Sequence, residues 1–512
     1  MWMRLAWPSR TYHSCAQLLL RALNQCVSCY PSLRFACHRT RFYGLAKGYL
    51  EVPRFIRKSA LPRALVLTLV LALSFPPQLA FARDDKMTFI RDAEIEHYLR
   101  TLGNPIFRAA GLDPTSISLL MIQNADLNAF VAGGMNIFFY TGLLQASETP
   151  EQLQGVIAHE TGHIAGGHLS RGSKAMRDAS AQAIIGMLAG VAIGAASGRG
   201  DIAVGTIGGA QSVAERGLMG FSRAQESSAD AAAMRFLDST GQSSQGLLDF
   251  MKKLAGQDIL PVDRQVEYVR THPLSQDRVG SIEHHLQTRA DLSGKKLEAS
   301  FQNMHERMKA KLLGYMQPQT ALLRYTDKDP RVPARYARAI ALYRTSQLQR
   351  ALVIMETLLK EEPDNPFFIE LKAQMLFENA RVAEAVDLYK KAVTLQPDSA
   401  LLRVSYAHAL LENKGDVDLV LQHLTEANRL EARDAQTWRF LAAAWTRKGE
   451  ITKDMKYQGL VSYALAEESL ANGKDKTAGQ YAERALKSLP KGSPYWLRAQ
   501  DIKINVENDA KD

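Results

Sequence analysis

The sequence predicts a mainly α-helical protein in two parts: an α+β domain with a small sheet, then an α-solenoid of helix pairs. Three observations carry that prediction. His159-Glu160-Thr161-Gly162-His163 sits on a segment with clear helix start and stop signals. Short apolar runs between residues 117 and 140 read as strands, two of them around a glycine turn. Beyond residue 332, alanines and prolines recur 34 residues apart.

A length of 512 residues allows two or more domains besides a targeting segment, and 46% apolar content is ordinary for a packed core. The formal charge of +10 points to nucleic acid only until it is located. Eleven of the 63 Lys/Arg but one of the 53 Asp/Glu (Glu51) lie in residues 1–82, leaving 52 of each sign beyond. The remainder is neutral, so no nucleic-acid partner is expected. All four cysteines (Cys15, Cys26, Cys29, Cys37) also lie in this leader, which excludes a disulfide framework for the rest.

Residues 53–82 have the parts of a secretory signal. Arg54, Arg57, Lys58 and Arg63 precede the apolar run Ala64–Leu73, and Ala80-Phe81-Ala82 supplies a small-residue cleavage site. The run is shorter than the roughly 20 residues that span a bilayer. Arg-rich, acid-free residues 1–50 are a doubtful upstream extension that also has the character of a mitochondrial transit peptide.

The first domain is expected over 83–290. Residues 84–116 read as helical, with Ile90, Ile95, Tyr98 and Leu102 on one side. Ile117–Ile122 reads as a strand, and Asn128–Tyr140 as a hairpin about Gly133-Gly134. A strand of this sheet beside a catalytic cleft could pair with an extended peptide, which makes Asn128 and Phe130 candidate substrate contacts. The aromatic residues serve a core equally well.

Thr149 and Gln152 have capping-box spacing around Pro150, Leu153, Val156 and Ile157 follow at helical intervals, and Gly166-Gly167 ends the run. His159 and His163 are therefore one turn apart on one face. Two imidazoles so placed can hold Zn²⁺, with Glu160 taking a proton from a zinc-bound water. A chance match on an amphipathic helix is the plainer reading of five residues. A third ligand at the spacing H-x-x-G-x-x-H is absent, because Leu169 stands where the histidine would be and His168 falls one short. Glu226 and Asp230, four apart before the Ala231–Ala233 run, share a helix face. Glu226 could ligate zinc while Asp230 accepts the spare N–H of a ligand histidine.

H-E-T-G-H followed by E-S-S-A-D, with Asn128-Ala129-Phe130 before and Thr271-His272-Pro273-Leu274 after, resembles the gluzincin metallopeptidases related to the HtpX heat-shock protease and the CAAX prenyl proteases. The likeness is strongest to their soluble branch with a helical-repeat tail, the periplasmic β-barrel assembly-enhancing proteases. It implies a zincin-like domain, with one zinc per chain on His159, His163 and Glu226, and Glu160 as catalytic base.

Residues 181–210 hold two apolar Gly/Ala-rich pieces broken at Ser197–Asp201, each too short to span a bilayer. They read as a helical hairpin packed near the site or touching a membrane surface. His272, held extended by Pro273, has three readings: donor to an oxyanion, fourth ligand that silences the zinc, or cap of the fold. Arg278 either pairs with a carboxylate near the site or binds a substrate carbonyl. His97, His168, His284, His285 and His305 read as structural or solvated.

Residues 291–331 read as a connecting helix and linker. Beyond them Pro363 and Pro397, Ala339 and Ala373, and Ala351 and Ala385 are each 34 apart, the period of tetratricopeptide repeats. Repeats are expected over 332–492, with a truncated unit at 435–458, then a C-terminal tail over 493–512 whose last residues, Glu507–Asp512, fray. A stack of such pairs offers a curved surface for a protein partner.

The resulting expectation is a periplasmic zinc endopeptidase, possible membrane contact included, that acts on misfolded or misassembled polypeptides. By resemblance, its repeats engage clients or the outer-membrane β-barrel assembly machinery. Two alternatives stay open: a chaperone or adaptor with a largely silenced zinc site, and a mitochondrial inner-membrane stress metallopeptidase.

Overall fold

A computed structural model describes residues 88–132, 134–168, 222–255, 265–432 and 434–509. The expected leader (1–82) and apolar hairpin (181–210) lie outside the described residues. Among the described residues, no helix is long and apolar enough to cross a membrane.

The first domain opens on a strand rather than a helix: β1 (Phe89–Ile90) precedes α1 (Ala93–Ala109). Two residues carry no periodicity, and β1 exists only through its antiparallel pairing with β2 (Ser118–Ile122). Asp92 starts α1 by accepting from the Ile95 N–H. The hairpin forms as β3 (Ala129–Ala132) and β4 (Asn136–Tyr140), with Gly134 at φ +97 in its turn. The sheet order is β1-β2-β4-β3, with β2 and β4 parallel. β3 is therefore an edge.

The helices that follow are α2 (Thr141–Ala146), α3 (Pro150–Ala165), α4 over residues 222–239, α5 (Gln245–Leu254), α6 (Glu267–Thr271) and α7 (Gln276–Thr288). Leu153, Val156 and Ile157 of α3 pack with Ile95, Leu99 and Leu102 of α1 and Ile137 and Phe139 of β4. Ala158 faces a second cluster with Ala233, Leu237, Leu247 and Ile282. α3 is thus the central rod of the domain.

The segment read as a connector is α8 (Ala299–Met316) and α9 (Pro318–Arg324), and α8 is core on two sides. Met308 and Leu312 join the first domain's cluster, whereas Tyr315 joins that of the repeats. Buried Lys311 Nζ lies 2.8 Å from Asp92 and 3.3 Å from Glu94, and the Tyr336 hydroxyl of the first repeat helix donates to Glu94 (2.8 Å). Arg91 reaches Glu431 at 2.6 Å. Burial opposes the Lys311 charge, but the two carboxylates raise its pKa. The partners are distant in the chain, so no local pattern announces this cluster.

The repeats begin as three helix pairs: α10 (Val332–Arg344) with α11 (Leu348–Glu361), α12 (Pro366–Phe377) with α13 (Val382–Leu395), and α14 (Ala400–Glu412) with α15 (Val417–Leu430). The turn inside each pair has a left-handed residue, Ser346, Ala380 and Lys414 at φ 62, 62 and 53, again 34 apart. A single long helix, α16 (Ala435–Thr452), follows, then the pair α17 (Lys456–Ala471) and α18 (Asp475–Ser488). The expected tail is instead α19 (Pro494–Asp509), which buries Ala499 and Ile502 against the solenoid. Its local signals are present: Ser493 accepts from Trp496 N ahead of Pro494, and Tyr495, Ala499, Ile502 and Val506 recur at helical spacing.

Candidate active site

The local sequence places α3 accurately. Thr149 Oγ1 accepts from Gln152 N (3.3 Å), while Gln152 Oε1 accepts from Glu148 N (2.8 Å), a capping box displaced by one residue. Gly155 and Gly162 then let two helices close on it. A Cβ at Gly155 would lie 2.7 Å from the Leu247 backbone, and one at Gly162 would lie 2.6 Å from Ala229 O. Close approach at Ala229 brings Glu226, one turn earlier on α4, over the α3 histidines.

His159 Nε2 and His163 Nε2 lie 3.1 Å apart. Glu226 Oε2 is 3.2 Å from the first and Oε1 is 3.4 Å from the second. His272, just past α6, brings Nδ1 within 3.3 Å of both Glu226 oxygens and 3.4 Å of His159 Nε2. All four residues offer ligand atoms within 4.8 Å of one another. Behind them Asp230 Oδ1 meets His159 Nδ1 at 2.8 Å, and Arg278 donates to Asp230 through Nε (2.6 Å) and Nη2 (2.9 Å). Arg278 Nη1 also lies 3.1 Å from Glu226 Oε2 and donates to Pro273 O.

This arrangement fits a bound cation. The Asp230 carboxylate can only accept, so the proton of neutral His159 stays on Nδ1 and its Nε2 turns a lone pair inward. There it meets His163 Nε2 and two carboxylate oxygens, a convergence of lone pairs that a divalent ion would satisfy. Nitrogen and oxygen donors with no thiolate suit zinc. Burial works against charge on His159, but Asp230 and Glu226 raise it to about 10. The field that draws a proton there would draw a metal ion equally. Burial pushes His163 down to about 4, although Glu226 opposes this. Burial also raises Glu160, and neither of its buried oxygens has a hydrogen-bond partner.

The structure therefore brings Glu160, Asp230 and His272 to the His159–His163–Glu226 cluster. His272 Nε2 lies 3.5 Å from Glu160 Oε1 and 3.2 Å from Ala129 O, on the sheet edge. The three expected substrate contacts fare differently. Asn128 is buried, and its Oδ1 accepts from the Thr271 hydroxyl (3.3 Å), so it holds the turn before His272. Phe130 stacks on Phe138 with centroids 5.0 Å apart, on the other face of the sheet from α3. Arg278 is buried and committed to the carboxylates, the first of its two sequence readings. Alternation explains Phe130: its neighbours Ala129 and Val131 are the buried pair.

Two neighbours escaped the sequence reading. His168, read from the sequence only as structural or solvated, is buried with its Nδ1 3.1 Å from His163 Nδ1. The Gly166-Gly167 pair was the available signal, since Gly167 at φ +61 turns the chain back. Tyr268, four residues earlier, packs on His272 with centroids 4.6 Å apart and ring planes tilted by 31°.

Paired histidines, an opposed carboxylate and a free glutamate on a helix packed against a mixed sheet define a metallopeptidase of the HExxH type. Comparison with known proteins narrows this. Residues 93–286 match the model of Peptidase family M48, and residues 327–460 match a tetratricopeptide repeat model. The chain is 25% identical over 370 residues to the beta-barrel assembly-enhancing protease of Yersinia pestis, covering 70% of this chain and 74% of that one. It is 25% identical over 367 residues to the protein of the same name from Escherichia coli K12 (69% and 72% covered). Metalloprotease LoiP of Escherichia coli K12 is 28% identical over 200 residues, 39% of this chain and 74% of that one. Residues 93–286 are thus a Peptidase family M48 metallopeptidase domain, joined in this chain to tetratricopeptide repeats.

Proposed function

We propose that this protein is a periplasmic, zinc-dependent endopeptidase that removes misfolded or misassembled polypeptides during outer-membrane β-barrel assembly. The carrying observation is the convergence of His159, His163 and Glu226 next to a buried Glu160 that makes no hydrogen bond. The ion held there, one per chain, would supply Lewis-acid polarisation of the scissile carbonyl and a more acidic water. Glu160 takes the proton of the attacking water and hands it to the leaving amine. Asp230 and Arg278 hold His159 and Glu226 in orientation from behind.

The sheet edge supplies the track. Tyr140 N donates to Asn128 O at 2.9 Å, so in this antiparallel ladder the backbone groups of Ala129 and Val131 face away from β4. An extended peptide can pair with them and lay its carbonyl over the cluster. The repeats add a second contact surface. Phe377, His408 and Phe440, on α12, α14 and α16, form a row of half-buried rings 4.9 and 4.4 Å apart. Rings presented in this way suit a protein client or the β-barrel assembly machinery. Peripheral membrane contact through 181–210 belongs to the same proposal. Digestion of a β-barrel protein, unfolded against folded, tests it: selective cutting of the unfolded form supports the reading, and equal resistance of both refutes it.

His272 favours a second reading in which the resting site is closed. Its ring occupies the ligand set and the Ala129 carbonyl together, so it competes with both water and peptide. A protein working mainly as chaperone or adaptor would keep its cellular role in Glu160→Gln.

A further inference from the structure

We infer that His168 is a positioning residue for the metal ligand His163, which it holds in the ligand-competent tautomer; this rests on the zinc reading above. His163 directs Nε2 at His159 and Glu226. A neutral imidazole that offers a lone pair at Nε2 carries its proton at Nδ1. That proton faces His168 Nδ1 at 3.1 Å, so His168 accepts through Nδ1 and carries its own proton on Nε2. The two ligand histidines are thus oriented by different means: His159 by the Asp230 carboxylate, His163 by a neutral imidazole.

The surroundings are built for this contact. His168 is 5% exposed, and its carbonyl accepts from Gln225 Nε2 at 3.0 Å, next to the ligand Glu226 on α4. Gly166 has an ordinary φ of −71, so its backbone asks for no glycine. What it gives is room, because a Cβ there would lie 2.4 Å from His168 Nε2 and 2.8 Å from Cδ2. Gly167 then takes the left-handed turn that swings residue 168 back over α3.

The test is zinc affinity of the full-length protein, measured by competition with a chromogenic chelator, for wild type, His168→Leu and His168→Asn. Leucine matches the bulk without an acceptor, and asparagine puts an oxygen near the Nδ1 position. His168→Leu is expected to bind zinc about tenfold to a hundredfold more weakly, with the metal-free melting temperature unchanged. His168→Asn is expected to recover most of the loss. Unchanged affinity in His168→Leu would overturn the inference, as would equal losses in both variants, which mark a steric role. Failure of the wild type to bind zinc would instead refute the underlying metal site.

Discussion

Asp230 Oδ1 lies 2.8 Å from Nδ1 of His159, and this contact decides which nitrogen His159 turns toward Glu226. Asp230→Ala should therefore weaken zinc binding by about tenfold to a hundredfold, read by chelator competition. It also leaves the buried Arg278 guanidinium with one carboxylate fewer. A stability loss of about 3 kcal/mol is expected in denaturant melts of the metal-free protein.

Gly162 tests the approach of α3 and α4. Its missing Cβ would sit 2.6 Å from a backbone oxygen, which cannot yield as a flexible side chain would. Gly162→Ala should cost about 1–3 kcal/mol by overpacking. Displacing Glu226 from the histidines should also cut the cleavage rate about a hundredfold. A variant as active as wild type would show that the helices part without disturbing the site.

His272→Ala should cleave an unfolded protein severalfold faster, because the ring that engages Glu226 and the Ala129 carbonyl is gone. Initial rates at matched zinc content measure this. A slower variant would assign His272 to stabilising the oxyanion.

Acid stability should depend on His305, far from the metal site. Its ring is fully buried, with Nε2 donating to Ser147 O (3.1 Å) and Nδ1 accepting from the Tyr98 hydroxyl (2.9 Å). Burial, together with the Lys309 charge, holds it down to about 4. An unfolded histidine protonates near 6.5, so between these values the unfolded chain binds more protons and stability falls as pH falls. The contribution is complete above pH 6.5 and is lost toward pH 4, on the order of 3 kcal/mol. His305→Phe should melt at lower denaturant at pH 7 and show a flatter decline between pH 6.5 and 4. Parallel profiles for the two proteins would contradict this.

What was legible in the sequence was local. Thr149, Pro150 and Gln152 announce α3 because a helix start is specified within one turn. Glu226 and Asp230 share a face because four residues make about one turn. The 34-residue period exposes the repeats because every unit buries the same alanines. Elements defined by remote partners stayed hidden. β1 is two residues that only β2 makes into a strand. α8 looks like a connector because its apolar residues serve two cores at once, whereas α19 reads as a tail although Ser493, Pro494 and its apolar spacing mark it locally. Lys311, Asp92 and Glu94 carry no local signal, because only folding brings them together. His168 was hidden for a related reason, since counting along an ideal helix cannot anticipate the left-handed step at Gly167.

The most direct measurement is cleavage of an unfolded test protein by wild type and Glu160→Gln, with zinc content determined in both. Glu160 is buried with no hydrogen-bond partner, His272 Nε2 lies 3.5 Å away, and it is not one of the three proposed zinc ligands, so glutamine should leave metal binding intact. The predicted result is about one zinc per chain in each protein and cleavage by wild type alone. Equal cleavage by Glu160→Gln would contradict the assignment of Glu160 as the base, and wild type lacking zinc would contradict the site itself.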